Sequence, residues 1–181
     1  GNANHRTLPD DYPYLYSTHF AHSWRYERMR QLLDVQGKTT AEEQWGYMRD
    51  VKNVMAEQVT PYLIRALALH RDTGWIVSIL RQWDYNDDAD AIAPLLFQAI
   101  YRSFVTRVFA DDLGADLASA MLDSQYYWQE RMLLMLKDNE SLWFDDYNTF
   151  AIESRDDLIY LAAKEALADL KARTGKDPKT L

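Results

Sequence analysis

Residues 88–113 read DADAIAPLLFQAIYRSFVTRVFADDL, and the spacing of their apolar side chains decides the fold class. Ile92, Leu96, Ile100, Phe104 and Val108 recur at a spacing of four, flanked by Leu95, Phe97, Tyr101 and Val105. A repeat near 3.6 residues gathers these side chains on one side of a helix, and the flanking positions widen that side beyond a single stripe. The stretch is therefore expected to be a central helix. Pro94 near its start is compatible with this, because first-turn amides have no intrahelical acceptor to lose.

The residues on either side also read as helix. Downstream of Gly114, ADLASAMLDSQYYWQERMLLMLKD is expected to be one amphipathic helix, followed by the aromatic-rich connector NESLWFDDYNTFAIES, too apolar for a free linker. Ser154 and Asp157 then cap RDDLIYLAAKEALADLKARTG, in which Ile159, Ala163, Ala166, Leu167 and Leu170 share a face and Gly175 is the stop. Upstream, TGWIVSILRQW could be a buried strand by its apolar run alone, but its helical neighbours and Arg81-Gln82 favour helix. Thr40 and Glu43 form a capping box that starts a long helix through Trp45, Met48, Val51 and Met55. Thr60-Pro61 either begins a new helix or kinks this one, with a kink or break expected near Val59. Ser23 is expected to cap a short helix over WRYERMRQLLDV that stops at Gly37, and residues 1–22 form an extended, polar front. The expected architecture is mainly α: a compact bundle of about six helices with an extended N-terminal strip.

Composition narrows the function. At 181 residues the chain fits one domain with a real core. Its 20 Lys and Arg against 28 Asp and Glu give a net charge of −8, which repels a phosphate backbone, so nucleic acid is not expected as a partner. No apolar run reaches the ~20 residues that span a bilayer, so no membrane partner is expected. The absence of cysteine removes disulfides, thiolate catalysis and Cys-ligated zinc together.

Few side chains suggest chemistry. Asp84, Asn86 and Asp88 occupy alternate positions as in a calcium loop, but Ala89 stands where such a loop needs Gly and Leu95 where it needs a bidentate Glu. A turn after Trp83 with acidic caps is the expected reading. His19 and His22, with His5 nearby, lack a supporting carboxylate and read as solvated loop histidines rather than a zinc site. The Asp-Asp pairs at 10–11, 87–88, 111–112, 145–146 and 156–157 mostly adjoin helix boundaries, where capping explains them. Asn4, in the extended strip, can project a fixed amide donor, and Arg25 stands at the start of the first helix; a turn Asn and an ion-paired surface Arg are the plainer alternatives.

Taken in order and spacing, NANHRTLPDDYPYL, WRYERMRQLL, LRQWDYNDDAD, SLWFDDYNT and ESRDDLIYLAAKEALADLKARTGKDP resemble the penicillin acylase (penicillin amidase) family of N-terminal-nucleophile hydrolases along nearly the whole chain. The resemblance implies a stretch of the family's β chain, downstream of the catalytic N-terminal Ser. Residues 1–22 would then belong to the edge of the αββα catalytic core, and residues 23–181 to an excised helical subdomain. Asn4-His5-Arg6 stands where the family has Asn-Asn-Arg, which gives Asn4 the role of oxyanion-hole donor. Arg25 matches an arginine that organises the active site and substrate.

Two departures shape the remaining expectations. Tyr16 stands three residues after Pro13, where calcium-binding members carry an Asp ligand, so no cofactor is expected in this chain and calcium is doubtful even for the parent. The chain starts with Gly1, so the isolated polypeptide is expected to be inactive. The implied partners are the remainder of the β chain, an α chain and a small N-acyl amide substrate, in a periplasmic or secreted protein. The rival reading is a free-standing helical module whose aromatic surface binds a protein.

Overall fold

The computed structural model describes residues 2–18, 20–34 and 37–180, without the side chains of residues 125–127. These residues form eight α-helices: α1 (Trp24–Leu33), α2 (Ala41–Met48), α3 (Val54–Leu67), α4 (Gly74–Gln82), α5 (Ile92–Leu113), α6 (Ala115–Leu122), α7 (Gln125–Met135) and α8 (Arg155–Thr174). Among the described residues there is no strand, only two isolated bridges, parallel between His5 and Ala21 and antiparallel between Lys52 and Asn86. No helix is long and apolar enough to cross a membrane among these residues.

The mainly α expectation holds, and α5 lies at its centre. Leu96, Ile100, Phe104 and Val108 are fully buried, with Phe97, Tyr101 and Val105 close behind, while Leu95 at the rim stays exposed. α5 packs along α8, α3 covers α8, and α6 folds back on α5. The α8 side of the core is built from Ile159, Ala162, Ala163 and Ala166. The three alanines are short enough for two helix axes to approach closely. Each large aliphatic or aromatic side chain removed from water here contributes roughly 1.5–3 kcal/mol.

Local end signals succeed where they are self-contained. Thr40 and Glu43 form the expected reciprocal cap on α2, Ser154 and Asp157 do the same on α8, and Gly175 closes α8 in the left-handed conformation at φ 69°. At α1 the expected cap is absent: the Ser23 side chain makes no capping bond to the backbone, and its hydroxyl donates to Glu27 instead. Val35 lies outside the described residues.

The expected long helix from Thr40 is broken at residues 49–53. Val51 and Asn53 hydrogen-bond to the turn after Trp83 (Asp87 N to Val51 O, 2.9 Å; Asn53 N to Tyr85 O, 2.7 Å), and the Asn53 side chain caps α3. Trp45, Met48 and Val51 consequently face solvent. Of the kink or break expected near Val59, the break does not occur: α3 continues through Pro61, with Val59 and Thr60 fully buried. The helix after Gly114 is two helices, separated at Asp123–Ser124. The connector is anchored at one end, where Phe144 is buried against Phe104 and Trp143 meets Phe109 edge-on. Beyond that point Tyr147, Phe150 and Ile152 are exposed.

Candidate functional site

The extended strip enters the fold at one point. Asn4 takes the left-handed conformation, φ 64°, which Asn tolerates better than most residues because its short polar side chain bonds locally. Its backbone is fixed on both sides: its N–H donates to Asn2 Oδ1 at 2.6 Å and its carbonyl accepts from Ala21 N at 2.7 Å. His5 follows, bridged to Ala21, with its ring stacked on Tyr26 at 3.8 Å between centroids.

Arg25 closes this arrangement. Its Nη2 donates to the Ala3 carbonyl at 2.8 Å and to Asn4 Oδ1 at 2.6 Å. The two residues singled out in the sequence are thus in direct contact across 21 positions of chain. A guanidinium has donors and no acceptor, so it can only face the oxygen of the Asn4 amide. The NH₂ of Asn4 is thereby turned away from Arg25, as an oriented donor on an exposed side chain.

Arg25 is itself placed by its neighbours on α1. The Trp24 indole N–H donates to Gln58 Oε1 of α3 at 2.8 Å. Arg28 forms a two-point ion pair with Asp50 in the α2–α3 break, at 2.8 and 2.6 Å. The Arg28 hydrogen bond is the main cause that holds the Asp50 carboxyl below its usual range, against the opposing effect of burial. Periodicity gave no hint of this support, because Asp50 and Gln58 are polar residues whose partners lie far off in the chain. An i to i+22 ion pair leaves no local signature.

Beside Arg25 lies a cleft of about 530 Å³, lined by His22, Trp24, Arg28, Met55 and Gln129 among others. The histidines are not solvated loop residues as expected: His5 is buried, and His22 is half-buried against Trp24 with a centroid distance of 4.1 Å. Burial, and then the Arg25 charge, push the His22 imidazole below its ordinary value. His19 lies outside the described residues. No group of three or more His, Cys, Asp or Glu among the described residues could share a metal.

The 84–88 segment is a turn, as expected. Asp84 accepts from the Asn86 backbone and side chain at 3.0 and 2.6 Å, and Lys52 Nζ donates to its carbonyl. The acidic capping role is not realised there, since the residue before α5 is Ala91 and makes no side-chain cap. Tyr16, which stands where the resemblance implies an Asp in calcium-binding members, presents an exposed phenol.

These features define a mainly α protein that carries at its edge a side-chain amide oriented by an arginine. The profile of the penicillin amidase family matches residues 1–181, and the chain belongs to that family. At family level its activity is that of an acylase-type hydrolase. Comparison with curated proteins returns no match.

Proposed function

We propose that this chain is part of an amidohydrolase that cleaves N-acyl amides, penicillins or related compounds, with a nucleophilic N-terminal Ser supplied from outside these residues. Residues 1–22 form the edge of its catalytic core and residues 23–181 a helical subdomain beside it. The serine hydroxyl gives its proton, through a water, to the serine's own α-amine as its oxygen attacks the amide carbon; the carbonyl oxygen takes up negative charge and Asn4 Nδ2–H donates to it. The same proton passes to the leaving nitrogen as the C–N bond breaks, and the acyl-enzyme that remains is hydrolysed by water. The observation that carries this reading is the 2.6 Å bond from Arg25 to Asn4 Oδ1, because it sets the amide donor before substrate arrives. A donor already oriented does not have to reorganise as charge develops, and this is the source of oxyanion-hole catalysis.

The resemblance extends the proposal to a periplasmic or secreted parent, with the rest of the β chain and an α chain as partners. The test is Asn4→Ala in the full-length enzyme. Turnover of an N-acyl substrate is expected to fall by about 10²–10³ in a variant that still folds, with only a small drop in melting temperature because Ala fits the left-handed backbone less well than Asn. Full activity in a folded variant would remove Asn4 from the mechanism.

A further inference from the structure

The backbone at Asn4 is held as closely as its side chain. Asn2 Oδ1 accepts from the Asn4 N–H at 2.6 Å, and only the oxygen of the Asn2 amide can face a backbone donor. A side-chain oxygen that bonds the backbone two residues on closes an Asx-turn, a local device available to Asn and Asp. Ala3, between the two, is buried; its N–H donates to His5 Nδ1 at 3.4 Å and its carbonyl accepts from Arg25 at 2.8 Å. The Asn4 carbonyl accepts from Ala21 N at 2.7 Å. Both peptide groups that flank Asn4 are therefore tied to other residues.

These ties matter because Asn4 is left-handed, at φ 64°. That region is sparsely populated by residues other than Gly, and Asn enters it more readily than most but still at a cost. Arg25 holds the Oδ1 end of the side chain, 2.6 Å away. The direction of the Cα–Cβ bond, from which the amide swings, is set instead by φ and ψ. Arg25 thus fixes the tip of the side chain and Asn2 helps to fix its root. With the root released, Asn4 can relax toward negative φ, and Nδ2–H then points elsewhere even while Oδ1 stays on the guanidinium. The Asn2 bond is also the one tie that a substitution removes without touching Arg25, since Ala21 acts through its backbone. Asn2 is itself exposed, so its replacement leaves no hole in the core.

We propose that Asn2 is a positioning residue for the amide hydrolysis proposed above: its side-chain oxygen holds the left-handed turn that aims the Asn4 amide at the developing oxyanion. This rests on Asn4 being the oxyanion donor, and Asn2 touches neither the substrate nor the reacting atoms. A donor that is placed before charge develops acts on the transition state more than on the bound substrate. Its displacement is therefore felt in kcat rather than in KM.

The test is a double-mutant cycle with Asn4→Ala in the full-length enzyme, read as kcat and KM on an N-acyl amide. Asn2→Ala is expected to lower kcat about tenfold, the scale of one hydrogen bond, with KM nearly unchanged. Asn2→Ser, whose hydroxyl makes the same turn more weakly, should recover part of that loss. In the Asn4→Ala background no amide remains to be aimed, so adding Asn2→Ala should leave the residual turnover where it was. Wild-type kcat in Asn2→Ala beside an impaired Asn4→Ala would overturn this inference alone. So would the same tenfold loss in both backgrounds, a loss confined to KM, or an Asn2→Ser variant no better than Asn2→Ala. Full activity in Asn4→Ala would overturn the oxyanion role of Asn4 and this inference with it.

Discussion

Helix α8 is tied down by signals within and beside its own 20 residues: a reciprocal cap at Ser154 and Asp157, an apolar face with Ile159 and Ala163 fully buried, and a left-handed glycine at its end. The strip at residues 2–22 is tied down from outside itself. Apart from its internal His5–Ala21 bridge, it is held by a ring stack on Tyr26 and two hydrogen bonds from Arg25, with Tyr14, Leu15 and Tyr16 all largely exposed. Stability is thus concentrated in buried area, and the candidate chemistry rests on a few polar contacts that bury little. Mutations in the two regions should therefore separate folding from activity.

The largest effect belongs to the core. Phe104→Ala removes a fully buried ring at the α5–connector junction and should cost about 3–5 kcal/mol in denaturant unfolding. A loss below about 1 kcal/mol would show that the connector, not α5, carries this junction. Arg25→Ala is expected to do the reverse in the full-length enzyme. The Asn4 amide would lose its orientation and turnover should fall about tenfold or more, while the melting temperature stays close to wild type. A large drop in stability would make Arg25 a structural clamp instead.

Smaller effects sharpen the contrast. Ser154→Ala deletes one half of the α8 cap and should destabilise by about 1 kcal/mol with no change in turnover. The Arg28–Asp50 pair gives the smallest signal, under about 1 kcal/mol, because both side chains keep some contact with water. Its pH dependence has a definite sign. The Asp50 carboxyl is held below its unfolded value, so its contribution is complete above about pH 4 and fades as pH falls through the lower folded value. Melting temperatures of wild type and Asp50→Asn should therefore differ near pH 6 and converge as the pH falls below about 4. A constant gap would assign the difference to something other than ionisation.

The same division explains what could be read in advance. The centre of α5, both capping boxes and the stop at Gly175 were legible because each is written in neighbouring residues. The break at residues 49–53 was not, since an apolar repeat through Trp45, Met48 and Val51 continues across it and the hydrogen bonds that interrupt it come from residues 85–87. The acidic caps expected after Trp83 and the cap expected from Ser23 failed for a related reason: Ala91 takes the cap position of α5, and Ser23 found a side-chain partner in Glu27. Asn4 and Arg25 took their specific roles from family resemblance alone. Their contact is a product of the fold, and so are the stacks on Tyr26 and Trp24 that withdraw His5 and His22 from water.

The left-handed backbone at Asn4 makes a saturation library at this one codon unusually informative. Glycine keeps the chain path and deletes the amide. Aspartate keeps both path and outline but exchanges the donor for a charge. Glutamine keeps the amide on a longer arm and pays a conformational penalty, and β-branched residues fit the path worst of all. Ranking the nineteen substitutions by activity and by expression level would give two different orders, with Gly and Asp high in the second and absent from the top of the first.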